Sequence, residues 1–256
     1  MSRSEQLADT ACAVCPHRIG DLEVPPVQAV LLAAGMGTRL GRPLPKPLTR
    51  LADGRSIMQQ QMDNLRAAFG DDHRVLVVVG FKLESIIESF PDVLFAYNES
   101  FDETNTNRSL LKALRLTAPG QGVLWMNGDV VFDPAILQAL RPHIDADRSA
   151  VCVNTATTAD EEVKYTVDGR GLVKELSKTV REGALGEAIG INFVAGKDKA
   201  TLIAHLAACA DQDYFERGIE TAIANDGLEV TPVDITEHFA VEVDFPDDLD
   251  RANARG

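Results

Sequence analysis

Two short segments carry residues suited to phosphate chemistry. Leu32-Ala33-Ala34-Gly35-Met36-Gly37-Thr38-Arg39-Leu40 combines glycines, a hydroxyl and a guanidinium, and Pro45-Lys46-Pro47-Leu48 follows closely. Gly35 and Gly37 lack side chains, so the backbone can approach a phosphate chain and aim its N–H groups at it. Arg39 can clamp two phosphate oxygens at once. Lys46 offers a compact point charge for an oxygen that gains charge in a transition state. Arg39, Arg42, Lys46 and Arg50 share a stretch without a single acid. This is not a Walker loop, because no G-K-[ST] follows, and Leu40 stands where a dinucleotide fingerprint has its third glycine.

Two carboxylates complement the loop. Asp129 follows an apolar run and the turn Asn127-Gly128, and Asp244 ends the run Ala240–Val243 just before Pro246. Carboxylates at strand ends can share one hard cation, and Mg²⁺ takes few protein oxygens plus substrate phosphates. Taken singly, Asp129 also reads as a turn aspartate and Asp244 as the N-cap of a helix starting near Pro246. The five histidines are scattered, with no Ser-His-Asp or Cys-His arrangement.

These groups need a scaffold, and the hydrophobic pattern supplies one. Val27–Ala33, Val75–Val79, Val93–Tyr97, Val123–Met126 and Ser149–Val153 read as strands. Between them, helical spacing links Met58, Met62, Leu65 and Phe69 (with Gly70 as the stop), then Leu83 to Phe90, Ser109 to Leu116, and Pro134 to Leu140. The alternation predicts an α/β fold with an open, mostly parallel sheet and helices on both faces. Ligands of such sheets sit beyond the carboxyl ends of the strands, where the loops after Ala33, Val79 and Met126 lie. Further on, a hairpin around Asp168-Gly169 joins Tyr165–Val167 to Leu172–Leu176. Strands at Ala188–Phe193, Leu228–Val233 and Ala240–Val243, helices near 197–210 and 214–225, and a closing helix from Pro246 complete the expectation. Residues 1–26 read as a tail and 27–256 as one domain, whose second half forms a lid for a second substrate.

Bulk composition narrows the classes. Hydrophobic residues make up 45% and charged residues 25%, as in an ordinary globular protein. The net charge of −14 disfavours a nucleic-acid partner. No apolar run approaches the roughly 20 residues of a membrane helix, and the polar N-terminus does not resemble a signal peptide. The expected location is the cytoplasm, without a membrane partner. Cys12 and Cys15 form a C-x-x-C with His17 nearby, but no second pair completes a zinc site, so reduced thiols on a tail are expected.

The loop and the Pro-Lys-Pro-Leu element together resemble the signature of the sugar-phosphate nucleotidyltransferase superfamily, L-A-A-G-x-G-[ST]-R-[LM] followed by P-K-[PG]-[LM]. The resemblance implies a Rossmann-like fold and transfer of a nucleoside monophosphate from a triphosphate to a phosphate-bearing acceptor, with release of pyrophosphate. It implies that Arg39 and Lys46 are catalytic and hold the triphosphate. It further implies that Leu32, Ala33, Ala34, Gly35, Gly37 and Thr38 surround the nucleotide, and that Asp129 and Asp244 hold Mg²⁺. Glu242, Asp244, Asp248 and Leu249 match the superfamily's E-[IV]-D-x-x-x-D-L motif.

Asn105-Thr106-Asn107-Arg108-Ser109-Leu110 resembles the N-[NT]-x-x-S-L element of small cytidylyltransferases that act on phosphocholine or phosphonates. That resemblance favours CTP and puts Asn98, Asn105, Ser109 and Asn127 near the nucleotide, with Gly80 beside the base. The segment also reads as a plain helix N-cap. Lys164, Lys178, Glu187 and Tyr214 are candidates for a small phospho- or phosphono-acceptor. A choline acceptor needs an aromatic box, for which Tyr165, Tyr214, Phe215 and Phe239 are available. Ala240 stands where phosphocholine enzymes tend to carry Trp, which weakens that reading. A sugar-1-phosphate or molybdenum-cofactor nucleotidyltransferase, and a non-catalytic nucleotide-binding subunit, stay open as alternatives. A homodimer also stays open.

Overall fold

The computed structural model describes residues 27–37, 40–41, 43–156 and 162–254. The Cys12/Cys15/His17 tail, Thr38 and Arg39 lie outside the described residues.

Strand β1 (Val27–Ala33) is buried along its whole length. Its neighbours are β2 (His73–Val79) and β4 (Val123–Asn127), both parallel to it. A strand covered on both faces must be apolar throughout, which the sequence Val-Gln-Ala-Val-Leu-Leu-Ala nearly is. Alternate residues serve opposite faces. Ala29, Leu31 and Ala33 join the core under helices α1 (Ile57–Phe69), α2 (Leu83–Ser89) and α4 (Ala135–Asp145). Val30 and Leu32 join the core under α3 (Thr106–Leu116), α5 (Lys199–Ala208) and α6 (Phe215–Asp226). Leu31 is fully buried, so truncating it to Ala would cost about 2–5 kcal/mol.

The strand order is β10-β6-β9-β4-β1-β2-β3, with β3 at Leu94–Tyr97, β6 at Ala150–Asn154, β9 at Gly186–Val194 and β10 at Thr231–Asp234. Only β9 runs against its neighbours on that path. The mostly parallel sheet expected from the pattern is therefore the observed one. The hairpin β7 (Lys164–Val167) and β8 (Val173–Ser177) attaches to β9. Its turn is tied by Asp168, whose Oδ1 accepts the amides of Arg170 and Leu172. Among the described residues, no helix is long and apolar enough to cross a membrane.

Leu32 pairs with Asn127, and Ala33 with Val79. Three parallel strands thus finish at one edge. Two departures from the sequence reading occur there. A three-residue strand, β5 (Val130–Phe132), follows Asp129, and β11 (Ala240–Glu242) pairs with it in a separate antiparallel ribbon rather than joining the main sheet. β5 is too short for a periodic signal. The second departure is α3, which starts at Thr106, three residues before the expected Ser109, because Asn105 caps it by accepting the Thr106 amide.

A small apolar cluster of Leu40, Ile57, Val131, Val241, Val243, Leu249 and Ala252 ties the ribbon to the loop and to α7 (Pro246–Asn253). Polar groups of α1 fix the other side. Gln61 Nε2 donates to the carbonyls of Asn127 and Val130, and Gln60 and Asn64 both donate to that of Phe132. The turn that carries Asp129 is therefore held by buried amides from a helix far away in sequence.

Candidate active site

A cleft of about 320 Å³ opens at this strand edge. Leu32, Ala33, Gly35 and Gly37 line one side, together with Lys46, Asn105, Asn127, Asp129 and Asp244. Lys178 and Tyr214 line it as well. Leu32, Ala33, Gly35 and Gly37 of the loop, both aspartates and two of the four expected acceptor contacts therefore converge.

Lys46 is the centre of the arrangement. It starts a single 3₁₀ turn, Lys46–Leu48, and prolines on either side restrict its backbone. Its Nζ lies 2.6 Å from Asp129 Oδ2 and 2.5 Å from Asp244 Oδ1. Burial works against the ammonium charge, but the field and hydrogen bonds of the two aspartates outweigh it and hold the pKa above the usual lysine value. Asp129 sits on a turn that only glycine permits. A Cβ on Gly128 would fall 2.7 Å from the Leu32 carbonyl and 3.0 Å from the Pro47 ring. Asp244 is not the helix cap. Phe245 holds the cap position, and Asp248 in the first turn reaches back with Oδ2 to accept the amides of both Asp244 and Phe245. The Asp244 carboxylate is thereby left to face Lys46.

Asp129 Oδ1 is buried with no hydrogen-bond partner. Among the described residues, no group of three or more His, Cys, Asp or Glu gathers into a metal set. The cation-holding groups on offer are the two aspartates, which leaves most of a coordination shell to a ligand.

Three glutamates share the cleft: Glu162, Glu216 and Glu242. Glu242 Oε1 accepts from Asn127 Nδ2 at 3.2 Å. Gly190, at φ +66°, makes room for this contact, since a Cβ there would lie 2.5 Å from Asn127 Nδ2. Burial, then the negative charges of Asp129 and Glu162, raise the Glu242 carboxyl well above its ordinary value. Burial pushes Glu216 up to about 7. Sequence reasoning assigned no role to Glu162 or Glu216. The available signal was Glu216 on the same helical face as Ile219, a carboxylate within an apolar stripe.

The remaining expected contacts are elsewhere. Asn98 and Ser109 are buried and off the cleft wall; Asn98 Nδ2 donates to Thr104 Oγ1 and to Ser109 Oγ, both at 3.1 Å. Gly80 packs beneath the loop, where a Cβ would meet the Ala34 carbonyl at 2.6 Å. Ala34 is itself buried there, and its carbonyl accepts the Phe81 amide. Lys164 is buried on β7 directly across from Glu187 on β9, and Glu187 lines an adjoining cavity behind Glu242. Tyr165 is in the core, and Phe239 lines a separate cavity.

The model of the MobA-like NTP transferase domain matches residues 29–215. The chain belongs to this family. This MobA-like NTP transferase is 31% identical over 251 residues to the CMP-5'-(3-aminopropyl)phosphonate synthase of Streptomyces rubellomurinus, an alignment that takes in 90% of the chain and 39% of that protein. The chain thus spans about two fifths of this relative's length. Its fold matches the CTP:phosphocholine cytidylyltransferase of Streptococcus pneumoniae, with a TM-score of 0.69 at 18% identity over 90% of this chain and 98% of that one. It equally matches the inositol-1-phosphate CTP transferase of T. maritima, at TM-score 0.69 and 18% identity over 86% and 90%. The chain thus carries an NTP transferase domain with the expected Rossmann-like fold.

Proposed function

We propose that this nucleotidyltransferase moves CMP from CTP onto a small phosphonate- or phosphate-bearing acceptor, using Mg²⁺ and releasing pyrophosphate. The observation that carries the reading is the convergence of Lys46 with Asp129 and Asp244 beside the glycine loop. The likeness to a CMP-phosphonate synthase supports CMP as the transferred group and a phosphonate as the acceptor.

The residues fit a divalent ion. Asp129 Oδ1 is a buried acceptor without a partner, and Asp244 supplies a second carboxylate at the same point. When bound there, Mg²⁺ would neutralise phosphate charge and leave most of its shell to phosphate oxygens and water. The chain does the rest. Gly35 and Gly37 allow the backbone to approach the triphosphate. Lys46, whose charge its aspartates secure, can turn toward the α-phosphate as negative charge builds there. The acceptor oxygen is already anionic, so no general base is needed. That oxygen bonds to the α-phosphorus while the bond to the β-phosphate bridging oxygen breaks, and pyrophosphate leaves with the electron pair. Catalysis then consists of aligning two anions that repel each other.

A matrix of four nucleoside triphosphates against phosphonate, phosphocholine and sugar-phosphate acceptors, read by pyrophosphate release with Mg²⁺, tests this. CTP with a phosphonate should lead. Silence across the matrix, or turnover that survives Asp129→Ala, would refute the proposal.

A further inference from the structure

The cleft holds more carboxylate than nucleotidyl transfer can use. Lys46 accounts for Asp129 and Asp244. Glu162, Glu216 and Glu242 then face a space that must admit a triphosphate and an anionic acceptor. Carboxylates repel both. Glu216 is only 8% exposed, and its Oε2 is buried without a hydrogen-bond partner. A buried, unsatisfied carboxylate oxygen is costly to keep unless a ligand completes it. The nearby cation is Lys178, yet its Nζ stands 4.6 Å over the ring of Tyr214 rather than on Glu216. Burial, with the charge of Glu162 adding to it, drives Glu216 up to about 7.

We propose that Glu216, with Glu242 and Glu162 beside it, forms a subsite for a primary ammonium group on the acceptor. The proposal rests on the reading that this cleft takes a phosphonate or phosphate acceptor, and it narrows that acceptor to a short zwitterion with an anionic phosphorus head and an aminoalkyl tail. A primary ammonium brings hydrogens to Glu216 Oε2 and positive charge to all three carboxylates. A trimethylammonium brings charge but no N–H. It would need aromatic faces, and the two aromatic rings lining the cleft are committed: Phe215 packs edge-on against Trp125 with centroids 5.6 Å apart, and Tyr214 lies under Lys178. A neutral polyol would bring no positive charge to Glu216. Lys178 remains suited to the anionic end of the same molecule.

The test compares 3-aminopropylphosphonate, its N,N,N-trimethyl derivative and propylphosphonate as acceptors with CTP and Mg²⁺. Calorimetric binding of the same three compounds, with a non-hydrolysable CTP analogue present, runs alongside. The intact chain should prefer the primary amine over both analogues by about 30-fold in kcat/KM and in Kd, the size of one charge-assisted hydrogen bond. In Glu216→Gln the preference over propylphosphonate should collapse to within about threefold. Pyrophosphate release without preference for the amine, or a preference that survives Glu216→Gln, overturns the subsite and leaves nucleotidyl transfer standing. Selective binding of the amine without pyrophosphate release upholds the subsite and overturns the transfer reading.

Discussion

If Glu216 is kept for a ligand, the ligand-free protein should be less stable for having it. The carboxyl rises from an ordinary 4.5 to about 7 on folding because burial disfavours its charge. Each tenfold change in proton affinity is worth about 1.4 kcal/mol, so ionising Glu216 in place costs roughly 3 kcal/mol more than ionising it in the unfolded chain. The folded state binds this proton more tightly than the unfolded state. Below pH 4.5 both states are protonated and the residue costs nothing. Between 4.5 and 7 the unfolded chain ionises while the folded chain does not, so stability falls with rising pH. Above 7 the full penalty is present. Glu216→Gln keeps the shape and cannot ionise. It should match the parent near pH 4.5 and exceed it at pH 8 by roughly 3 kcal/mol, on the order of 5–10 °C in Tm for a chain of this length. Thermal and urea unfolding of the ligand-free proteins across pH 4.5–8 would measure the divergence. Parallel curves for parent and variant would show that Glu216 ionises without strain, and the reasoning from its burial would be wrong.

Other outcomes follow from the same geometry. Lys46→Met leaves two carboxylates facing one another; because both are partly solvated, a loss of about 2 kcal/mol in unfolding free energy is expected. Activity should fall at least about 100-fold, and millimolar Mg²⁺ should restore part of the lost Tm; an unchanged Tm would deny the ion pairs any structural role. Gly190→Ala forces a side chain into a left-handed backbone and against Asn127. A stability cost of about 1–3 kcal/mol should come with more than tenfold lower kcat/KM, and wild-type kinetics would refute the tight fit. Asn98→Ala should cost about 1–2 kcal/mol by stripping Thr104 and Ser109 of a donor, with KM for CTP within about twofold; a rise in KM alone would instead return Asn98 to the nucleotide.

Much of this site was legible in the chain because its information is local. Glycines, Lys46 and its prolines lie next to one strand in sequence, and a run such as Val27–Ala33 can only be a strand covered on both sides. Asp129 and Asp244 were legible as carboxylates at strand ends. Their engagement with Lys46 was not, since it depends on a ribbon, β5 with β11, whose halves are three residues each and far apart in sequence. Asn98 and Ser109 show the converse. Small polar residues near a motif read as ligand contacts, and here Asn98 Nδ2 donates to Ser109 Oγ inside the fold. Glu216 was hidden because a helix pattern tells which face is apolar but not which residue on that face meets a cleft. The amides of α1 that brace the Asp129 turn went unread for the same reason.

Lys46 meets Asp129 across 83 positions of chain and Asp244 across 198. During synthesis the loop and the first carboxylate therefore emerge long before the second. All seven strands of the main sheet path end by Asp234, while Asp244 arrives only with β11 and α7. A growing polypeptide can lay down its whole sheet and still lack one of the two aspartates that hold Lys46. Competence for chemistry is thus delayed until Asp244 has been made, and a product cut short before Ala240 would keep the sheet while holding an incomplete cleft.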